Sequence, residues 1–148
     1  GNDKILIWDI RSGSSERSIN GPHIRGQGLD MYDGQIMTAS CRDKKAIEIW
    51  DYGTAKKIRD VNFDNQMAGG DCLINAAKVA RNGLDLVAGG SGINISQAYE
   101  YSRGALIGQS VPNASAVEQI GVSPFGASFV NGYENGEASC YMIRVRQP

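Results

Sequence analysis

The stretch AIEIWDY, residues 46–52, carries apolar side chains at alternate positions and runs into a Trp-Asp pair. An earlier stretch, KILIWDI at residues 4–10, has the same pattern, and its Trp8 lies 42 positions before Trp50. Alternation of this kind is typical of a β-strand with one face buried. A sequence motif that recurs after roughly 40 to 45 residues indicates a structural repeat built from several short strands.

Short strands bounded by turn residues account for much of the remaining chain. The 19 glycines are scattered rather than clustered, and the segments between them are rich in Ile, Val, Leu and Tyr. Residues 35–40, 84–90 and 126–132 are further predicted strands. Residues 75–86 are the best helix candidate, but they contain the turn dipeptide Asn82-Gly83, which favours strand-turn-strand. The sequence therefore predicts an all-β fold.

These residues resemble the repeats of the WD-repeat (WD40) β-propeller family over almost the whole chain. In that family each blade has four antiparallel strands, a to d, and the Trp-Asp pair closes strand c. The resemblance implies a partial propeller of about three and a half blades, an incomplete ring that corresponds to the C-terminal half of a propeller. It assigns residues 1–148 to one domain, with blade units at about 1–21, 22–63, 64–111 and 112–148.

Residues 22–63 resemble a complete blade and anchor the alignment. Their four strands are expected at 28–31, 35–40, 46–51 and 56–61. The preceding unit supplies strands c and d at 5–9 and 16–20, the third supplies strand b at 84–89, and the last supplies strands b and c at 127–131 and 138–145. The last strand predicted is a strand c, which is how the resemblance identifies the C-terminal half of a propeller.

Ten residues correspond to positions that define the repeat: Trp8, Asp9, Asp43, Trp50, Asp51, Tyr99, Glu100, Ser123, Pro124 and Gly126. A buried indole N–H needs an acceptor, and the family supplies one through a hydrogen-bonded set of side chains. Ser40 or Thr38, together with Asp43, would fill those roles for Trp50. His23 follows Pro22 and lies one place later than the family's histidine, so a structural role for it depends on the loop conformation.

The composition and motifs argue against catalysis. Fifteen Lys and Arg balance 16 Asp and Glu for a net charge of −1, which predicts neither a nucleic-acid partner nor a membrane partner. A single histidine and three widely spaced cysteines offer no nucleophile-base pair and no metal-ligand spacing. We therefore expect no enzymatic activity, no catalytic residues, no metal and no cofactor. Residues 89–92 are predicted to be a turn and residues 63–71 a solvated loop.

The resemblance implies a scaffold that holds protein partners in a larger assembly, because the family rarely performs chemistry. We call the stacked blades the frame. Six residues that the frame does not need are candidate partner contacts: Arg25, Arg42, Lys44, Phe63, Gln66 and Tyr133. Two alternatives stay open, a substrate receptor of a ubiquitin ligase and a cytoskeletal or ciliary structural component. The first is suggested by Trp8-Asp9-Ile10-Arg11, which resembles a short element with which some propellers bind their adaptor.

Two further partners stay open: the remaining blades of a longer propeller, or a second copy that completes the ring. The odd number of cysteines argues against a disulfide framework, so we expect an intracellular and cytoplasmic protein, with cytoskeletal or nuclear sites as alternatives.

Overall fold

The computed structural model describes residues 3–143, and these form an all-β fold of four antiparallel sheets with one helical turn. The first sheet contains β1 (Lys4–Asp9) and β2 (Ser14–Asn20). The second contains β3 (Leu29–Tyr32), β4 (Gln35–Ala39), β5 (Ile47–Asp51) and β6 (Lys57–Val61). The third contains β7 (Cys72–Val79), β8 (Asp85–Gly92), β9 (Ser96–Glu100) and β10 (Ala105–Gln109). The fourth contains β11 (Val117–Val122), β12 (Ser128–Tyr133) and β13 (Ala138–Met142), and the helical turn α1 is Asn65–Ala68.

Each sheet is built from strands that follow one another in sequence, so every strand pairs with its chain neighbour. The second sheet shows why. Tyr32 and Gln35 are paired across a two-residue turn in which Asp33 and Gly34 both have positive φ, 46° and 71°. This is the conformation of a type I′ turn, which matches the twist of antiparallel strands and favours Asp-Gly. A local signal therefore fixes the register of β3 and β4. The strands β5 and β6 then add to this hairpin in chain order.

Three apolar clusters hold the four sheets together in order along the chain. The first and second sheets meet around Ile7, Ile19 and Ile36. The second and third meet in the largest cluster. The third and fourth meet in a cluster that includes Val87 and Ala98. The members of the largest cluster are Met37, Ala39, Ala46, Ile47, Ile49, Val61, Cys72, Ile74, Ala77, Val79, Leu86, Ala88, Tyr99 and Tyr101. The core therefore lies between neighbouring sheets, and each sheet depends on the next for burial.

In the second, third and fourth sheets, an aromatic residue near the end of the third strand packs in the apolar cluster shared with the preceding sheet. Trp50 on β5 packs on the cluster of Ile7, Ile19 and Ile36, which the second sheet shares with the first. Tyr99 on β9 lies in the cluster shared with the second sheet, and Tyr141 on β13 packs on the cluster shared with the third. The equivalent residue of β1 is Trp8, which is exposed.

The strand predictions hold closely, with two corrections. Residues 75–86 are strand-turn-strand, as predicted, since they fall in β7 and β8. Residues 89–92, predicted to be a turn, instead continue β8 and pair with residues 72–74 and with Ala76 of β7. The loop predicted at 63–71 contains α1, which Asp64 caps by accepting a hydrogen bond from the Met67 N–H at 2.8 Å. The predicted strand 138–145 is seen as far as Met142, and residues 144–145 lie outside the described residues.

Candidate protein-interaction surface

Two kinds of connection lie together at one end of the molecule. One is the loop before the first strand of a sheet, and the other is the turn between its second and third strands. In the second sheet, Arg42 donates from Nη1 to the Gly21 carbonyl across 3.2 Å, which joins the β4–β5 turn to the β2–β3 loop. In the fourth sheet, the Asn135 N–H donates to Ser115 Oγ at 3.1 Å, which joins the β12–β13 turn to the β10–β11 loop. We call this end of the molecule the loop end.

A groove of about 740 Å³ opens at the loop end between the β2–β3 loop and the fourth sheet. Its charged lining consists of Arg25, Glu118, Glu134 and Glu137, and Tyr133 contributes an aromatic edge. All four charged residues are exposed. The groove therefore presents one basic and three acidic side chains on its exposed surface, with the edge of Tyr133 beside them.

Arg25 is positioned by a loop that is tied to the third sheet. Gln27, two residues further on, donates its N–H to the Asn75 carbonyl at 2.9 Å and accepts from the Ala77 N–H at 3.0 Å. Gly26 has a φ of 58°, and a side chain there would overlap the Asn75 carbonyl oxygen. The loop can therefore approach β7 only with glycine at this position, and that approach holds Arg25 over the groove.

Two of the groove carboxylates are oriented by amide side chains. Glu118 Oε1 accepts from Asn75 Nδ2 at 3.2 Å, and Glu137 Oε2 accepts from Asn113 Nδ2 at 3.2 Å. The hydrogen bond from Asn113, supported by Asn135, holds the pKa of Glu137 below its ordinary value. These hydrogen bonds orient both carboxylates at the edge of the groove.

Tyr133 lies mostly in the core, with only an edge on the groove. Its exposed fraction is 5%, and its hydroxyl lies 3.4 Å from Asn131 Nδ2 and 3.3 Å from the Tyr141 hydroxyl. Asn131 in turn accepts from Ser96 Oγ at 2.8 Å, so the polar chain crosses from the fourth sheet to the third. Tyr133 therefore joins the groove to the frame.

Arg42 makes contacts within the frame rather than pointing away from it. Its guanidinium donates to the Lys45 carbonyl and lies 2.7 Å from Glu48 Oε2, a carboxylate that is almost fully buried. Lys57 Nζ lies 3.3 Å from the other oxygen of Glu48. Lys44, in the same turn as Arg42, is exposed.

The remaining predicted contact residues belong to the β6–β7 connection. Phe63 packs against the largest core cluster, whereas Gln66 on α1 is exposed. This connection is held by Gln97, which accepts from the Asp64 N–H and donates to the Asp64 carbonyl, both at 2.9 Å. Of the six predicted contact residues, the structure brings only Arg25 and Tyr133 to one groove, and whether any of the six binds a partner stays a prediction.

The repeat positions of the second sheet form part of the expected polar set. Trp50 Nε1 donates to Thr38 Oγ1 at 3.0 Å, and Ser40 Oγ accepts from the backbone N–H of His23 at 3.1 Å. The His23 ring instead lies 2.7 Å from Asp3 Oδ1, a hydrogen bond that lowers the pKa of Asp3. Asp43 is exposed. His23 thus supports Ser40 through its backbone, not through its imidazole.

The acidic repeat positions at strand ends cap the turns that follow. Asp9 accepts from the N–H and guanidinium of Arg11, and Asp51 accepts from the N–H and hydroxyl of Thr54. Glu100 binds the guanidinium of Arg103 at 2.9 Å in the equivalent turn of the third sheet.

In the fourth sheet, the positions Ser123, Pro124 and Gly126 form the turn before β12. Ser123 Oγ accepts from the Ala127 and Ser128 N–H groups at 3.1 and 3.2 Å. Gly126 has a φ of 67° and is buried, whereas Pro124 is exposed. The turn therefore closes on itself through the serine hydroxyl.

Sequence reasoning missed the buried polar side chains that connect the sheets. Gln97, Asn131 and Asn75 are each at most 6% exposed and hydrogen-bonded. Nothing in the local sequence distinguishes these amides from surface ones, since their partners lie 33 to 42 residues away along the chain.

Two further features of residues 3–143 bear on the class of site. No group of three or more His, Cys, Asp and Glu side chains within this range is arranged to hold a metal ion. No helix within it is long and apolar enough to cross a membrane.

Sequence comparison identifies no relative, whereas structural comparison identifies the fold. No protein-family model matches the chain, and no curated protein matches it significantly. The computationally designed Ika4 protein superimposes with a TM-score of 0.77 at 17% identity, covering 97% of this chain and 81% of that one. A chain of the Mitotic Checkpoint Complex gives a TM-score of 0.75 at 16% identity, covering 96% of this chain but only 45% of its own length. At these identities the likeness shows the fold alone, which is propeller-like.

Proposed function

We propose that this chain is a non-catalytic WD-repeat scaffold that binds protein partners at its loop end. The observation that carries the proposal is the groove between the β2–β3 loop and the fourth sheet, where Arg25 lies opposite the exposed acidic residues Glu118, Glu134 and Glu137. Each wall of the groove is anchored to a different sheet, so the frame presents the contact groups in a fixed geometry.

The four sheets are proposed to be blades of one propeller, about three and a half blades of an incomplete ring. Their sequential pairing and their stacking through shared apolar clusters support this assignment. So do Trp50, Tyr99 and Tyr141, which occupy equivalent positions at the ends of three strands and each pack on the preceding sheet. The division into units at 1–21, 22–63, 64–111 and 112–148 is part of the same proposal.

We propose that the chain is not an enzyme, because polar side chains in the core form hydrogen bonds that hold the frame together. Gln97, Asn131 and Thr38 each accept a hydrogen bond from a residue of a neighbouring strand, sheet or connection. We also propose an intracellular, cytoplasmic location. Cys41, Cys72 and Cys140 are free thiols, as expected in a reducing compartment.

Comparative affinity capture tests the scaffold proposal. The immobilised 148-residue chain, its Arg25→Glu and Glu134→Lys variants, and a Lys56→Glu control are incubated with cell extract, and bound proteins are quantified by mass spectrometry. Lys56 is exposed and lies in the β5–β6 turn, away from the groove. We expect at least one protein to be retained by the unmodified chain and by Lys56→Glu, and to be lost from both groove variants.

Direct titration of that protein, once purified, against the same four chains by calorimetry completes the test. The proposal predicts at least a tenfold loss of affinity for each groove variant and an unchanged affinity for the control, because charge reversal at a rim contact weakens association. If every captured protein binds the groove variants as well as the unmodified chain, the groove is not the binding site and the proposal fails.

A substrate receptor of a ubiquitin ligase is the second candidate, favoured by the exposure of the Trp8–Arg11 element. The Arg11 side chain is 89% exposed, although it also contacts Asp9 at 3.2 Å. Arg103 forms the same kind of pair with Glu100 and is a matched control. Binding of a purified ligase adaptor that Arg11→Ala abolishes and Arg103→Ala retains would support this candidate, and no binding by the unmodified chain would exclude it.

A further inference from the structure

The third strands of the second and third sheets, β5 and β9, follow one rule about which neighbouring sheet each side chain contacts. On β5, Ile47 and Ile49 face the third sheet, whereas Trp50 faces the first. On β9, Ala98 faces the fourth sheet, whereas Tyr99 packs with the second. Alternate positions of a strand point to opposite faces of a sheet, so each sheet has one face for the preceding sheet and one for the next.

In the first sheet, the face that corresponds to the one packed on a preceding sheet is exposed. Leu6 and Trp8 of β1 are equivalent to Glu48 and Trp50 of β5, since both pairs lie 42 positions apart. Glu48 is 5% exposed, whereas Leu6 and Trp8 are 45% and 54% exposed. The opposite face of β1 is covered, because Ile7 packs on the second sheet. The exposed face is therefore the surface that would pack on a preceding sheet.

The fourth sheet has the complementary face exposed. Phe129, Leu86 and Ile36 pair with the aromatic residues Tyr141, Tyr99 and Trp50, which aligns the three sheets. In this alignment Val130 corresponds to Val87 and Met37, and Cys140 corresponds to Ala98 and Ile49. The four residues of the second and third sheets are buried, whereas Val130 is 40% exposed and Cys140 is exposed.

The exposed faces of the first and fourth sheets are thus the two halves of one contact, which occurs three times inside the chain. In each internal instance an aromatic residue of one sheet packs in a cluster with small or branched apolar residues of the sheet before it. Val130 and Cys140 on the fourth sheet, with Ala138 and Met142 beside them, offer this kind of surface. Trp8 is the aromatic residue that such a surface receives.

We infer that a second copy of this chain covers these faces head to tail, with Trp8 of one copy on Val130 and Cys140 of the other. Two copies related by a twofold axis make this contact twice and leave neither face exposed. The occupant is a second copy because the chain itself carries both complementary surfaces. The inference goes beyond the proposed function, since it needs no partner at the loop-end groove.

Light scattering on the 148-residue chain and on single variants across a dilution series tests the inference. The unmodified chain is expected to reach twice the monomer mass at the higher concentrations, whereas Trp8→Glu and Val130→Lys are each expected to remain monomeric. Both side chains are exposed in the single chain, so circular dichroism and thermal melting should show folded variants. Ile58→Glu is the matched control, because Ile58 is 48% exposed on β6. It should associate like the unmodified chain.

A mixing experiment distinguishes the head-to-tail contact from a symmetric one. Trp8→Glu retains an intact fourth sheet and Val130→Lys retains an intact first sheet, so an equimolar mixture should form a heterodimer through one contact. The double variant mixed with either single variant should stay monomeric. If Val130→Lys dimerises alone through its own Trp8 face, the head-to-tail assignment is wrong.

The reactivity of Cys140 gives a second readout that a folding defect would not mimic. Because Trp8 of one copy covers Cys140 of the other, Trp8→Glu should accelerate alkylation of Cys140 at concentrations where the unmodified chain associates. The rates should become equal on dilution. A folded, monomeric unmodified chain at every concentration overturns the inference and leaves both faces to another protein, and a dimer that both variants preserve overturns it as well.

Discussion

The indole Nε1 of Trp50 donates a hydrogen bond to the hydroxyl of Thr38 across 3.0 Å, and this bond ties β5 to β4. Thr38 is fully buried, and its hydroxyl also lies 3.4 Å from the Glu48 carbonyl oxygen. A buried donor that loses its acceptor keeps the cost of its desolvation. The pair therefore contributes to stability beyond the apolar area of the indole.

Replacement of Thr38 by Val is expected to destabilise the fold by about 1 to 2 kcal/mol, because valine keeps the shape but removes the acceptor. Trp50→Phe removes the donor, and in its presence Thr38→Val should cost less. Denaturant unfolding of the two single variants and the double variant yields the coupling, expected to be about 0.5 to 1 kcal/mol. Additive effects of the two substitutions would show that the hydrogen bond contributes nothing.

Gly90→Ala is expected to cost more than about 2 kcal/mol, because the new Cβ would overlap the Leu73 carbonyl oxygen of the paired strand. The register of β7 and β8 shifts between Ile74 and Ala76, and this bulge brings the backbones close together. The loss should appear in thermal or denaturant unfolding of the variant.

Gly108→Ala is the matched control, since Gly108 also lies in a strand beside a register shift, but a Cβ there meets nothing within 4 Å. Its stability should change by no more than about 0.5 kcal/mol. Equal losses for the two substitutions would mean that strand entropy, rather than close backbone approach, sets the requirement for glycine.

Local signals allowed most strands to be predicted from the sequence. The alternation in residues 46–52 and the Asp33-Gly34 turn depend on neighbours in the chain, and the second sheet was placed to within about a residue at each strand end. Residues 89–92 were misplaced because a local Gly-Gly-Ser-Gly sequence usually forms a turn. Here Gly90 lies opposite a bulge in β7, and only the position of Leu73 in the folded chain requires it.

The candidate site was less predictable than the frame. The sequence identified Arg25 as dispensable for the frame, but the groove depends on Glu118 and Glu137, which come from the fourth sheet. Tyr133 was expected to be a contact residue, yet 5% exposure places most of its ring in the core. Burial of this kind is set by packing between sheets and has no signature in neighbouring residues.

Gln97→Met is expected to loosen the connection that carries α1. Gln97 exchanges two hydrogen bonds with the backbone of Asp64 and also accepts from the Tyr99 hydroxyl at 2.6 Å. Methionine preserves the volume but forms none of these bonds, so the segment should open more often. Hydrogen exchange should accelerate by about tenfold or more at residues 64–69, which corresponds to a loss of about 1.4 kcal/mol.

Gln66→Met is the control for this effect. Gln66 lies on α1 itself, but its side chain is exposed, so exchange in the segment should be unchanged. Protection of residues 64–69 that survives Gln97→Met would mean that Phe63, which packs on the core, holds the connection without the amide.

Asp51→Asn is expected to reduce the dependence of stability on pH in the acid range. Asp51 Oδ1 accepts from the Thr54 N–H at 2.7 Å and from the Thr54 hydroxyl at 2.8 Å. These bonds, the backbone one first, hold the pKa of Asp51 below its ordinary value in the folded chain. A carboxyl whose pKa is lower when folded stabilises the fold above its unfolded pKa of about 3.9, and this stabilisation is lost as the pH falls through the folded pKa.

The unmodified chain should therefore lose stability more steeply than Asp51→Asn as the pH falls from about 5 to about 2. Asparagine retains a side-chain oxygen that can accept both bonds but does not titrate. The pKa values of Asp3, Asp9 and Glu137 are also lowered, but these groups titrate in both chains and cancel in the difference. Urea unfolding of the two chains at a series of pH values measures that difference. Parallel curves would show that the Thr54 bonds do not favour the ionised form of Asp51.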